Sequence, residues 1–461
     1  PASYFVLLGS GSSVHPFKTV KDYDDFLGRV NGFVEWSDQA VINMREGIKQ
    51  GVVQPRVLME KVLPQLSAQF KDSAEETMFW KPITDMPAEF SEEDRLRLQA
   101  AYKETIEGRL IPVYHALHDF IAEEYLPNTR ESVGMSGLPD GDAWYAYRVR
   151  EVTTTDLTPE QIHQIGLDEV ARIQGQMAQV METVGFDGDL KAFFEFLNTD
   201  PQFYFEKEED LIAGYNALRA GLDAAVPAMF GRIPKAGFEI RPVEAFRAKS
   251  ASGGSYMSPS PDGSRPGVFY VNTYDMSARP KWAMESLFLH EAIPGHHFQG
   301  ALAVELDHLP SFRRFGGYTA FSEGWGLYAE SLGKELGAYQ DPYQYFGALA
   351  AELWRAIRLV VDTGLHSKDW SRQQVLDYMY ANTAVQEARA VSEAERYMAI
   401  PGQALAYKMG QLKIRELRTR AEAALGDRFD IKGFHAQVLE DGELPLSVLE
   451  NKIDRWIESQ R

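Results

Sequence analysis

Pro294 stands inside the run His290-Glu291-Ala292-Ile293-Pro294-Gly295-His296-His297, and no straight α-helix can carry that run. Proline removes a backbone hydrogen bond, and its ring collides with the preceding turn. The residue types are nevertheless those of a metal site, and three of the ten histidines of the chain lie within this octapeptide. In the zincin arrangement two imidazoles on one helix face hold zinc, and the Glu after the first acts as general base on metal-activated water. The usual spacing places the second His four residues after the first. Here the candidates stand at His296, six residues on, and His297, seven residues on. On a straight helix six residues turn through ~600°, onto another face, and seven restore the face but separate the ligands by ~10.5 Å along the axis. A bend or bulge at Pro294-Gly295 would absorb two residues and return His296 to the face of His290. His296 is therefore favoured as second ligand, with His297 as the alternative, and Glu291 is the expected general base. Zn2+ is the expected ion.

The third ligand should be a carboxylate on a later helix. Phe321-Ser322-Glu323-Gly324-Trp325-Gly326-Leu327-Tyr328-Ala329-Glu330 supplies the best candidate in Glu323. Gly324 and Gly326 would let another helix or a substrate come close. Glu330, two helical turns further on, could orient a ligand His by accepting a hydrogen bond from its other ring nitrogen. The chain has no cysteine, so thiolate metal sites, disulfides and cysteine nucleophiles are all excluded.

Most of the sequence has helical spacing. Ser91 followed by Glu92-Glu93-Asp94 opens a helix running to about Leu126-Pro127, and Thr158-Pro159-Glu160-Gln161 is a capping box for a helix to about Val184. Pro401-Gly402 opens a helix to about Leu425, and Pro445 starts the last one. Trp144 to Val152 alternates loosely and is read as a short strand. Lys249 to Gly267, rich in Gly, Ser and Pro, reads as loop or hairpin, and Val268 to Thr273 reads as a strand just before the His-bearing helix. The expected fold is mainly α, large, helical and zincin-like, with a small β-sheet or hairpin beside the active-site helix. The expected division is a helical N-terminal part over residues 1–200 and a catalytic part over 201–461, within one continuous fold. Lys plus Arg number 47 against 67 Asp plus Glu, a formal net charge of −20. A chain this acidic is a poor partner for nucleic acid, whose phosphates demand cations. No run of 18 or more apolar residues suggests a membrane span.

Taken together, His290 to Gln299 and Glu323 to Glu330 resemble the bacterial domain-of-unknown-function family numbered 885. Further matching stretches are the His15-Pro16-Phe17 region, Leu138 to Arg148, Thr153 to Ile173, Asp262 to Gly267, Arg358 to His366 and Pro401 to Lys408. The resemblance spans nearly the whole chain. It implies a zinc peptidase of the gluzincin type, with two His and one Glu as ligands. It also implies a distant likeness to thimet oligopeptidase and Taq-type carboxypeptidase, mostly helical enzymes with a small sheet beside a deep channel. Members are usually longer at the N-terminus, and many look exported, periplasmic or lipid-anchored. A targeting segment would then precede Pro1.

On this reading the substrate is a peptide. The resemblance makes Tyr407 the candidate oxyanion donor, because related enzymes place a Tyr from a later helix there. The Val268–Thr273 strand could pair with extended substrate as an added edge strand, and Asn272 could hold a substrate main-chain group. Arg358, Asp362 and His366 recur every four residues and share one helix face. Either they form an intrahelical ion-pair stripe, or Arg358 binds a substrate carboxylate near the zinc. Arg265 and Arg396 are alternative carboxylate binders. Two rival functions use the same residues: a metal-dependent amidase or esterase acting on a small molecule or cell-wall fragment, and a non-catalytic binding protein on a peptidase fold.

Overall fold

A computed structural model describes residues 2–11, 15–244, 248–249 and 251–461. Among the described residues the chain is mainly α, with a three-stranded sheet. It divides into two compact units, Pro1–Val133 with Gly137–Gly141, and Gly134–Ser136 with Asp142–Arg461. The helices of 142–200, grouped by the sequence reading with the N-terminal part, thus make their contacts within the second unit.

The first unit is helical. Its long helix α1 (Val20–Gln50) starts at a Thr19–Asp22 capping box and stops at Gly51, whose φ of 72° is the left-handed conformation that ends helices. Tyr23, Phe26, Val30 and Phe33 are spaced at helical intervals and buried along one stripe. The helix expected from Ser91 is present as α2 (Glu92–Thr105), capped by the Ser91 side chain. It continues through two π-helical segments to Leu126–Asn128.

In the second unit, Trp144 to Val152 lies in helix α3 (Gly141–Thr153) and not in a strand. Tyr145, Val149 and Thr153 are buried at a spacing of four, whereas Trp144 and Tyr147 are exposed. The aromatic content suggested β, but burial follows the 3.6-residue period. Helix α4 (Pro159–Thr183) carries the expected Thr158–Gln161 capping box with proline at its first turn. It packs along α5 (Pro342–Ser367), and Gly166 makes the close approach possible. A Cβ there would fall 2.8 Å from Leu359 and Val360.

Strands β1 (Phe238–Pro242), β2 (Gly254–Met257) and β3 (Gly267–Val271) form the sheet in the order β1-β3-β2, parallel between β1 and β3 and antiparallel between β2 and β3. The Gly-, Ser- and Pro-rich stretch before β3 contains β2, and its Ser250 lies outside the described residues. β3 is the central strand. Both its edges are paired, so it cannot receive a substrate strand as the sequence reading proposed. Val268, Phe269 and Val271 are fully buried, which explains their unbroken apolar run. The helices expected from Pro401 and Pro445 are α7 (Ala406–Leu425), preceded by a 3-10 turn, and α8 (Leu446–Gln460). Between α5 and α7 lies α6 (Glu387–Ala399).

Candidate metal centre

The octapeptide does not bend one helix; it separates two. The first helix (Met284–Glu291) ends at Glu291, and the second (His296–Val304) begins at His296. Between them Ala292 and Gly295 leave helical geometry, with ψ of −103° and −128°, and the Ile293–Pro294 peptide is cis. The expectation of a local distortion is met, in the stronger form of a break. Gly295 folds back against the end of the first helix so closely that a Cβ would lie 1.9 Å from the His290 carbonyl oxygen. The carbonyl of Pro294 accepts a hydrogen bond from the indole Nε1 of the fully buried Trp325 at 2.8 Å.

This break brings His290 and His296 together, with ring centroids 4.6 Å apart. Glu323 faces both from the helix Thr319–Ser331. Its Oε2 lies 3.5 Å from His290 Nε2 and 3.6 Å from His296 Nε2. One donor atom from each of the three residues lies within 4.8 Å of the others, the one such group among the described residues. Ligand bonds of about 2.0–2.1 Å in a tetrahedral site place neighbouring donors about 3.3 Å apart. Two imidazoles and a carboxylate at these separations fit Zn2+. Burial opposes it, yet the hydrogen bonds and charge of His290 and His296 hold Glu323 well below the usual carboxylate range. Burial also opposes the rise of His290, but Glu323 and Glu330 bring it to about 10.

The surroundings fix these donors. His290 Nδ1 shares a 2.8 Å hydrogen bond with Glu330 Oε1, as the spacing anticipated. Ser286 donates to the other Glu330 oxygen at 2.5 Å, and Arg355 Nη2 lies 3.4 Å from Oε1. The two glycines after Glu323 have separate tasks. A Cβ on Gly324 would meet Gly410 of α7 at 2.5 Å, so the pair sets how closely the Glu323 helix approaches α7. A Cβ on Gly326 would press on the His290 ring at 2.8 Å. Glu291 follows His290 at the helix end, half-buried, and makes no hydrogen bond or ion pair among the described residues. Glu443 is a further carboxyl nearby, bonded to Tyr318 N and Gln299 Nε2 and raised by burial. Ser286, Arg355 and Glu443 carried no signal in the sequence, since nothing in their spacing links them to the His cluster.

The alternative ligand His297 turns the other way. Its Nδ1 shares a 2.8 Å hydrogen bond with the Tyr256 hydroxyl, and its ring packs 4.6 Å from that of Phe238. Burial, with the charge of Arg219, lowers it to about 4, so it stays neutral and ties its helix to the sheet. Asn272 is buried, and its amide is spent on the loop. Its Nδ2 donates to the carbonyls of Ala248 and Ala251, and its Oδ1 accepts from Tyr274 N. Arg265 is likewise used locally, on the carbonyls of Pro266 and Ser258. The Arg358, Asp362 and His366 stripe is not an intrahelical ion-pair ladder. Arg358 pairs with Glu393, Asp362 accepts from Tyr145 and Gly402, and His366 bonds Met135 N and the Tyr397 carbonyl. Arg396 also reaches Glu393 and bonds Gln403. Tyr407 has its ring beneath the Arg358 guanidinium at 4.6 Å, and among the described residues its hydroxyl has one long hydrogen-bond contact, 3.4 Å from Gln403 Nε2.

Comparison with known proteins places this geometry in context. The family described as "Bacterial protein of unknown function (DUF885)" matches residues 2–453. A crystal structure described as a "putative lipoprotein" from Colwellia psychrerythraea superposes with a TM-score of 0.91 at 35% identity, covering 96% of this chain and 77% of that one. Another, described in the same words and as of unknown function, from Shewanella oneidensis, gives 0.75 at 19% identity, covering 98% and 82%; it shows the fold alone. Among curated proteins none matches the chain.

Proposed function

Because the chain belongs to the DUF885 family, whose description names no reaction, we propose from its own residues that it is a zinc-dependent peptidase hydrolysing oligopeptides. The observation that carries the reading is the convergence of His290, His296 and Glu323 beside an uncommitted Glu291. Bound by the three residues, the ion would supply Lewis acidity, polarising the scissile carbonyl and making water a nucleophile near neutral pH. Glu330 holds His290 with Nε2 turned to the ligand site and strengthens its basicity through Nδ1. Glu291 takes a proton from the attacking water and returns it to the leaving amine. Its freedom from other partners suits that role. The Tyr407 hydroxyl, held by one long contact, is the donor assigned to the developing oxyanion. No helix of the described residues is long and apolar enough to cross a membrane. The description of the Colwellia psychrerythraea structure as a lipoprotein supports a chain that works outside the cytoplasm, in the periplasm or held by a lipid.

The test is a mixed peptide library incubated with the zinc-loaded chain and read by mass spectrometry for new termini. Wild type should produce them, and Glu291→Gln should slow them by about 10²–10⁴-fold with zinc still bound. Full-rate cleavage by Glu291→Gln would remove the general-base assignment. A zinc-loaded wild type that leaves peptides intact but splits small amides or esters would transfer the site to that chemistry.

A further inference from the structure

Four guanidiniums gather where α5 meets α6, and the protein does not balance their charge. Arginine stays cationic in proteins. Arg358 and Arg396 share one carboxylate, Glu393, at 3.0 Å each. The one ion pair of Arg355 among the described residues is to Glu330, which His290 and Ser286 already use; its Nη1 donates to the Ala351 carbonyl at 3.0 Å, and its Nε is buried without a hydrogen-bond partner. The side chain of Arg389 has no ion-pair or hydrogen-bond partner among the described residues, and its guanidinium lies 5.1 Å from the Trp354 ring. Like charges held together without counterions cost stability. Such a cost is borne where a ligand will supply the missing charge.

The position of Arg389 argues the same way. Its side chain is exposed to solvent. Yet burial is the largest cause pulling it below its ordinary pKa; Glu393 opposes that pull, and the charges of Arg358 and Arg355 add to it. Arg389 is thus open to solvent while its charge is felt by Arg358 and Arg355 of α5. The cluster adjoins the metal centre by two routes. Arg355 is one carboxylate removed from His290, through Glu330. Arg358 stacks on Tyr407, on the helix that packs through Gly410 against the Glu323 helix.

We propose that Arg355 and Arg389 form a carboxylate-binding subsite beside the metal centre, so that the preferred substrates carry a carboxylate near the scissile bond. The planar guanidinium fork matches a carboxylate in two parallel hydrogen bonds; the exposed, unpaired Arg389 supplies that fork, and Arg355 adds its positive charge beside it. The carboxylate is either the free C-terminus of the peptide or an acidic side chain. Naming the substrate class rests on the peptidase reading; the subsite itself does not.

Calorimetry on the metal-free full chain tests it with three probes: N-acetylphenylalanine, its amide, and N-acetylglutamate α-amide. The subsite predicts that at least one carboxylate probe binds about tenfold or more tighter than the neutral amide. A terminal source favours the first probe and a side-chain source the third. Arg389→Gln should erase the preference, and Arg389→Lys, which keeps charge but loses the fork, should restore part of it. Equal binding of all three probes, no binding of any, or a preference surviving Arg389→Gln would overturn the subsite. Turnover of the zinc-loaded enzyme on peptides ending in carboxylate or amide then separates the two readings. A binding preference without hydrolysis defeats the peptidase reading alone, and hydrolysis without a binding preference defeats the subsite alone.

Discussion

Glu330 touches no ligand position, yet it governs how well His290 can serve as one. Its oxygens are divided between His290 Nδ1 and Ser286 Oγ. Glu330→Gln keeps the shape and loses the charge, so metal affinity, read by competition with a chelator, should fall about 10–100-fold. Tyr407→Phe should leave metal content unchanged while kcat drops about 10²–10³-fold, if its hydroxyl meets the oxyanion; an unaltered kcat would return Tyr407 to a packing role under Arg358. At this scale the convergence of His290, His296 and Glu323 was legible because metal chemistry restricts which residue types can form such a group, and Glu330 because two turns along a helix preserve a face. Asn272 and Arg265 were misread because their partners are loop carbonyls. Nothing in a residue's own type reveals that its hydrogen bonds are already spent. Arg389 was missed for the opposite reason: an unpaired charge is visible only when every neighbour is in place.

The central element is the break over 292–295, and glycine is indispensable to it. Gly295→Ala must push the His290 carbonyl away, since the new Cβ would lie 1.9 Å from that oxygen. A cost of about 1–3 kcal/mol is expected for such overpacking, seen as a lower denaturation midpoint, together with weakened metal binding because His290 and His296 separate. An alanine variant with wild-type stability and metal affinity would show that the two helix ends are not held in register by this contact. Caps and prolines marked the helix starts well, as at Thr158 and Ser91, because they satisfy backbone donors locally. The 144–152 helix was misread because aromatic residues carry strand propensity and only burial exposes the period. The rank of β3 as central strand was not legible either. Sheet order depends on β1 and β2, and the chain between β1 and β3 gives no periodic signal.

At the scale of the whole molecule, the mainly helical class with a small sheet followed from pervasive helical spacing and one short β-branched run. The grouping of helices into units did not, because it depends on contacts such as Gly166 against α5. Global stability should carry the mark of Asp362, which burial raises to about 7 despite hydrogen bonds from Tyr145 and Gly402. In the unfolded chain it loses its proton near the ordinary value of 3.8. Between these values the folded state holds the extra proton, so stability declines as pH rises from about 4 to about 7. Asp362→Asn should flatten that decline in denaturation curves measured across the window, and an unchanged slope would place the pH dependence elsewhere. The most direct test of the account is the zinc stoichiometry of purified His290→Ala, His296→Ala, Glu323→Ala and His297→Ala beside wild type. The account predicts about one zinc per chain in wild type and His297→Ala, and loss of bound zinc in the other three. Zinc retained by His296→Ala but lost from His297→Ala would contradict it.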